Sequence, residues 1–86
     1  MVEAYILLKM CIQREMGGFA RSVVEKLSSV KGVEYADLLF GDFDAIVKLK
    51  RHKIHEIENL VLEEISMIEG IESTVTLLCV DEKILK

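Results

Sequence analysis

No proline interrupts the chain, no low-complexity or linker-like stretch divides it, and no apolar run approaches a membrane span. A bilayer-crossing helix needs roughly 18–20 consecutive apolar residues, so a transmembrane segment is not expected. The start, Met1-Val2-Glu3-Ala4-Tyr5, lacks the basic region and small-residue cleavage site of a signal peptide. Two cysteines, Cys11 and Cys79, are too few for a disulfide scaffold and read as free thiols of a cytoplasmic protein. They fall near the ends of the first and last expected strands, so antiparallel pairing would put them at opposite ends. Basic residues are outnumbered 11 to 15 by acidic ones, a net charge of −4. Nucleic-acid binders carry a basic patch, so direct nucleic-acid contact is not expected. No GxGxxG, P-loop or GxSxG motif occurs, and nothing makes an enzyme case. His52 and His55 stand three apart at a helix start, but no further ligand completes a metal set by spacing, so neither metal nor cofactor is implied.

What is present is a repeat. Val30-Lys31-Gly32-Val33-Glu34 returns 38 positions later as Ile68-Glu69-Gly70-Ile71-Glu72, and Ala4-Tyr5-Ile6-Leu7-Leu8-Lys9 returns after 41 as Ala45-Ile46-Val47-Lys48-Leu49-Lys50. Each half reads strand, helix, glycine, strand. A doubled βαβ unit specifies an α+β ferredoxin-like βαββαβ sandwich: a four-stranded antiparallel sheet with two helices on one face, the first and third strands central. At 86 residues the chain is one domain, 1–86, whose own core is marginal. Yet 51% of residues are apolar, slightly above the usual ~45–50%, an excess that fits burial against another subunit.

The first strand, 2–12, is apolar on both sides, as a central strand is. Gln13 to Gly18 is the expected loop. Helix one, 18–30, carries Phe19, Val23, Leu27 and Val30 at helical spacing, and Gly32 ends it because glycine accepts positive φ. Strand two covers 33–40. Phe40-Gly41-Asp42-Phe43 reads as a two-residue type II′ hairpin. That turn sets Leu38 opposite Ala45, Asp37 opposite Ile46, Ala36 opposite Val47 and Tyr35 opposite Lys48. One face then carries Ala36, Leu38, Phe40, Phe43, Ala45, Val47 and Leu49, beneath the helices. Helix two, 53–68, has the stripe Ile54, Ile57, Val61, Ile65, Ile68, and Gly70 repeats the glycine stop. Strand four is 71–80, followed by a polar tail from Asp81 to Lys86. The open sheet face gathers Tyr5, Leu7, Tyr35, Leu39 and Ile46, too apolar for water, and a homodimer packed sheet to sheet is expected. Asp44 falls on that face, where a partly desolvated carboxylate needs a partner. Lys48, Lys9, a backbone amide and the ammonium of a small ligand are the alternatives.

The βαββαβ order, the VxGV after helix one, Gly41-Asp42-Phe43-Asp44 opening strand three and IEGIxSTxT entering strand four together resemble the effector-binding (RAM) domain of the Lrp/AsnC transcription regulators. The resemblance covers essentially the whole chain, which starts at the domain's first strand and so looks like a stand-alone version without helix-turn-helix. The resemblance implies an amino-acid sensor that binds a small effector between subunits. It implies a sheet-to-sheet dimer assembling further, as an octamer ring of four dimers, and modulation of other Lrp/AsnC-type regulators without contact to DNA. It places the effector against Gly41, Asp42, Phe43 and Asp44 of the hairpin and Ser73, Thr74 and Thr76 of strand four. Short polar groups and amides there suit an α-carboxylate, and a carboxylate suits an α-ammonium; either Asp42 or Asp44 fills that part. The loop 13–18 departs from the family's acidic pattern and carries no ligand role. The alternatives on this topology are an ACT-like regulatory module, which expects its ligand at a glycine-rich loop such as Gly17-Gly18, a dimeric α+β barrel enzyme using His52 or His55, and an assembly module without ligand.

Overall fold

The structure, a computed structural model, describes residues 1–11 and 17–80. The expected loop from Gln13 lies largely outside these residues, as do the tail from Asp81 and the Phe19 side chain. The order is β1 (Val2–Met10), α1 (Gly17–Ser28), β2 (Val33–Leu38), β3 (Ala45–Arg51), α2 (Ile54–Leu60) continuing as a π-helical segment (Val61–Ile65), and β4 (Ile71–Leu78). The strands form one antiparallel sheet in the order β2-β3-β1-β4, the ferredoxin-like arrangement expected. Neither half of the repeat owns a pair of neighbouring strands: β1 and β2 are separated by β3, and β3 and β4 by β1.

The core follows from alternation along the central strands. Ala4, Ile6 and Leu8 of β1 and Ala45, Val47 and Leu49 of β3 are fully buried beneath Val23 and Leu27 of α1 and Ile57 and Ile65 of α2 and its π-helical extension. The hairpin register is the one residue counting gives, with Leu38 opposite Ala45, Asp37 opposite Ile46, Ala36 opposite Val47 and Tyr35 opposite Lys48. The helical segments end before the repeat glycines, at Ser28 and Ile65. Gly32 at φ +96° and Gly70 at φ +100° instead hold the third positions of the turns Val30–Val33 and Ile68–Ile71 that lead into β2 and β4, where positive φ favours glycine. At Gly32 a second constraint is added, because a Cβ there would stand 2.8 Å from Arg51 Nε and 3.1 Å from the Lys50 carbonyl.

Three local expectations are corrected. The β2–β3 hairpin is wider than a two-residue turn: its last bond runs from the Leu39 N–H to the Asp44 carbonyl at 2.8 Å, leaving Phe40 to Phe43 as the loop. Phe40 is therefore outside the ladder and fully exposed, and Leu38, last residue of an edge strand, is 46% exposed rather than core. Ile54 is 48% exposed, whereas Leu60 is buried. Ile54 opens α2, and the bond from the Ser66 N–H to the Val61 carbonyl at 2.8 Å spans five residues, widening the turn so that Leu60 and Val61 both face inward. Cys11 and Cys79 are exposed free thiols at opposite ends of β1, bonded through their amides to Gly70 O and Glu3 O.

Candidate functional site

The open face is built by pairing across the sheet. In register, Asp37, Ile46, Leu7 and Val75 form one row, and Tyr35, Lys48, Tyr5 and Leu77 the next. Tyr5, Leu7 and Ile46 are half-buried within one chain, while Tyr35, Leu39, Val75 and Leu77 are each between 40 and 49% exposed. Four of the residues expected there, Tyr5, Leu7, Tyr35 and Ile46, lie in these rows, and Leu39 follows the end of β2, bonded to the Asp44 carbonyl. Val75 and Leu77 were not anticipated, because no short turn fixes how β4 counts against β1. Their signal is the alternation Ser73-Val75-Leu77, which becomes readable once Lys9 is known to pair with Ser73.

Charges close one end of the face. Lys50 bridges Glu34 at 2.9 Å and Glu3 at 3.8 Å, and Lys48 bridges Glu3 at 3.4 Å and Glu34 at 3.7 Å. The Lys48 ammonium also lies 5.5 Å from the centre of the Tyr5 ring. Glu34 sits on β2 where the register slips between Val33 and Tyr35, and that slip lets it reach both lysines. The Lys50 ammonium, followed by Lys48, holds the Glu34 carboxyl below its usual 4.5, and Glu34 in turn raises Lys50 above its usual 10.5. A depressed carboxylate stabilises the fold above its unfolded pKa and loses that contribution as pH falls through the folded value. Glu34→Gln should therefore flatten part of the acid limb, measured as thermal midpoint against pH between about 5 and 3. An acid limb identical to wild type would show that Glu34 contributes nothing to it.

At the opposite end the hairpin root, the end of β1 and the start of β4 meet. Asp44 is half-buried. Its N–H donates to the Leu8 carbonyl at 2.8 Å, and its Oδ2 accepts the Met10 N–H at 2.7 Å. Of the partners considered for this carboxylate, the structure selects a backbone amide. Gly41 and Asp42 stand exposed at the tip, and Phe43 is half-buried. Gly41 has φ +147° and open space where a Cβ would be. Ser73 pairs with Lys9 on the open face, but Thr74 and Thr76 pair with Leu8 and Ile6, whose side chains point to the helices. The strand-four residues therefore divide between the two faces. Ser73 stands two strands from the β3 start, roughly 10 Å at the usual strand spacing. The exposed Leu38, Leu39 and Phe40 adjoin the tip.

A separate shallow groove runs along α2, lined by Arg51, Glu56, Asn59, Leu60, Glu63 and Glu64. Arg51 donates to the Lys31 carbonyl at 2.6 Å, which anchors it to the α1–β2 turn. His52 and His55 are exposed, and no group of three or more metal-ligating side chains gathers among the described residues. Among the same residues no helix is long and apolar enough to cross a membrane.

Comparison with known proteins gives these features a setting. The family model of the Lrp/AsnC ligand binding domain matches residues 4–85. An uncharacterized HTH-type transcriptional regulator of Pyrococcus abyssi is 26% identical over 78 residues, covering 91% of this chain and 51% of the relative. The chain thus spans about half the length of the curated relatives it matches. The crystal structure of FFRP-DM1 superimposes with a TM-score of 0.80 at 29% identity, covering 93% of this chain and all of that one. A transcriptional regulator from Neisseria meningitidis, solved as its L-Met complex, shares the fold with a TM-score of 0.78 at 15% identity, covering 94% of this chain and 51% of its own.

Proposed function

Since the chain belongs to the Lrp/AsnC ligand-binding domain family, and is on that ground a regulatory domain rather than an enzyme, we propose that it senses an amino acid or similar small molecule between subunits of an oligomer and passes the result to transcription regulators. The observation that carries this reading is the hairpin end: Phe40 fully exposed and Leu38 and Leu39 more than 40% exposed, beside Gly41 to Asp44 and on the same sheet end as Ser73. Exposed apolar side chains beside the polar residues of the hairpin and β4 fit a site completed by a second subunit. The open sheet face, with Tyr5, Leu7, Tyr35, Leu39 and Ile46 joined by Val75 and Leu77, pairs two chains into a dimer. The hairpin tips then join dimers into a ring of four, with the effector between them against Gly41, Asp42, Phe43 and Ser73. Thr74 and Thr76, which share the helix-side face of β4, line the approach from the neighbouring dimer. The L-Met complex of the distant Neisseria regulator makes amino acids the class to try first.

The partners are other Lrp/AsnC-type regulators. Direct DNA contact by this domain is disfavoured by its net charge of −4 and by the pairing of Lys48 and Lys50 with glutamates. A domain that acts on transcription regulators works where they do, in the cytoplasm. Titration calorimetry against the standard amino acids, with light scattering in parallel, tests the reading. A ligand specific to the larger assembly stabilises it by about 2.7 kcal/mol at a hundredfold excess over Kd, so a balanced mixture should shift almost wholly to one mass. Silence from every amino acid with the oligomer intact would reject the sensor.

A further inference from the structure

The β1–β3 ladder ends at the Leu8–Ala45 rung, so Met10 lies beyond the last backbone acceptor that β3 offers on that side. A part-buried amide left there without an acceptor would be an unmade bond. The Asp44 carboxylate supplies the acceptor, at 2.7 Å. The same residue ties the hairpin down through its backbone, accepting from Leu39 and donating to Leu8, each at 2.8 Å. On the far side of this strand end, the Cys11 N–H bonds the Gly70 carbonyl at 2.8 Å, just before β4 begins. The β1–β4 register also slips here, between Lys9 and Met10. One residue thus joins the hairpin root to the strand end that carries β4.

We infer that Asp44 is a positioning residue rather than the carboxylate that meets the effector. Its side chain locks the end of β1 to the hairpin, and so sets the separation between the tip, Gly41 to Phe43, and Ser73 across the sheet. This rests on the reading that those two segments form the effector site. To turn toward a ligand ammonium, Asp44 would have to give up the Met10 amide in a part-buried setting. Asp42 makes no such bond among the described residues and stands exposed at the tip, which leaves it as the hairpin carboxylate able to pair with an ammonium.

The test compares Asp44→Asn, Asp44→Ala and Asp42→Asn by amide exchange followed by NMR, and by affinity for whichever amino acid the wild type binds. Asp44→Asn keeps an acceptor oxygen. Its Met10 amide should stay protected to within a few-fold while the proton resonance moves upfield, as expected for a neutral acceptor, and amino-acid affinity should hold to within a few-fold. Asp44→Ala should speed Met10 exchange about tenfold or more, leave Leu39 protected, and weaken binding. Asp42→Asn should weaken binding about tenfold with Met10 unchanged. The inference is overturned if Met10 exchanges in Asp44→Ala as in wild type, or if its resonance is unmoved in Asp44→Asn. It is overturned equally if Asp44→Asn loses binding while Met10 stays protected, since Asp44's charge would then touch the ligand. Where Asp44→Ala does not fold, the Asn variant decides alone. If the wild type binds no amino acid, the effector reading fails, and the Met10 exchange and resonance still decide the lock.

Discussion

Leu7→Asp should leave a folded monomer in place of the proposed sheet-to-sheet dimer. Leu7 stands mid-sheet on the open face, flanked in register by Ile46 on β3 and Val75 on β4. Within a single chain it is half-exposed, so a carboxylate there keeps access to water and the fold survives. Packed against a second sheet, the same carboxylate would be dry, with apolar neighbours on both sides. An uncompensated buried charge costs about 3–5 kcal/mol. A two-fold interface uses the same patch on both subunits and so incurs that cost twice. Dimer affinity should fall by roughly four orders of magnitude or more. Size-exclusion chromatography with light scattering should show the protomer mass, with the circular dichroism of the wild type. A variant that still elutes with the wild-type mass would show that the open face is not the contact.

Ile6→Ala should produce the largest loss of stability of any conservative core change considered. Ile6 is fully buried, with Val47 opposite on one side and Thr76 on the other, beneath the helices. Truncating a buried Ile removes its transfer energy and leaves a cavity, about 2–5 kcal/mol together. Small domains hold only about 5–15 kcal/mol in all, so the thermal midpoint should fall by roughly 10–30 °C. Protein concentration must be matched, because an oligomer's apparent stability depends on it. Leu62→Ala is the control: Leu62 is 67% exposed on the outer surface of the π-helical segment, and its loss should stay within about 0.5 kcal/mol. Equal midpoints for the two variants would mean that the core does not lie where alternation along β1 puts it.

How much of this was legible in the residues depended on how tightly local chemistry fixes geometry. The β2–β3 register was readable residue by residue, since a short hairpin leaves no freedom in the count, and it stayed correct although the turn proved wider than two residues. The turns into β2 and β4 were readable at Gly32 and Gly70, where positive φ selects glycine, though the helices stop a few residues earlier, at Ser28 and Ile65. The β1–β4 register was not readable, because a helical crossover imposes no count, and Val75 and Leu77 were therefore missed from the open face. The π-helical segment left no mark either: spacings of four at Ile57, Val61 and Ile65 suit an α-helix as well. At the candidate site the residue types were recognisable, but not their division between faces. Asp44's amide partner was one of several alternatives until the end of the β1–β3 ladder showed why Met10 needs an acceptor.

The strand order carries a kinetic consequence. Because β3 lies between β1 and β2, and β1 between β3 and β4, the two copies of the repeat are interlaced like the fingers of two hands. Neither copy can bury its own strands by itself, so the ancestral-looking unit has no folding autonomy left. β1, made before the other three strands, finds its partners only after Ala45 and then Ile71 have followed, pairings up to 74 positions apart in the case of Ala4 with Leu78. Formation of the sheet is thus governed by long-range closure, which is slow, and waits for the last strand. Cut within the hairpin loop, the chain should yield two fragments that are each unstructured and that acquire the sheet only on mixing.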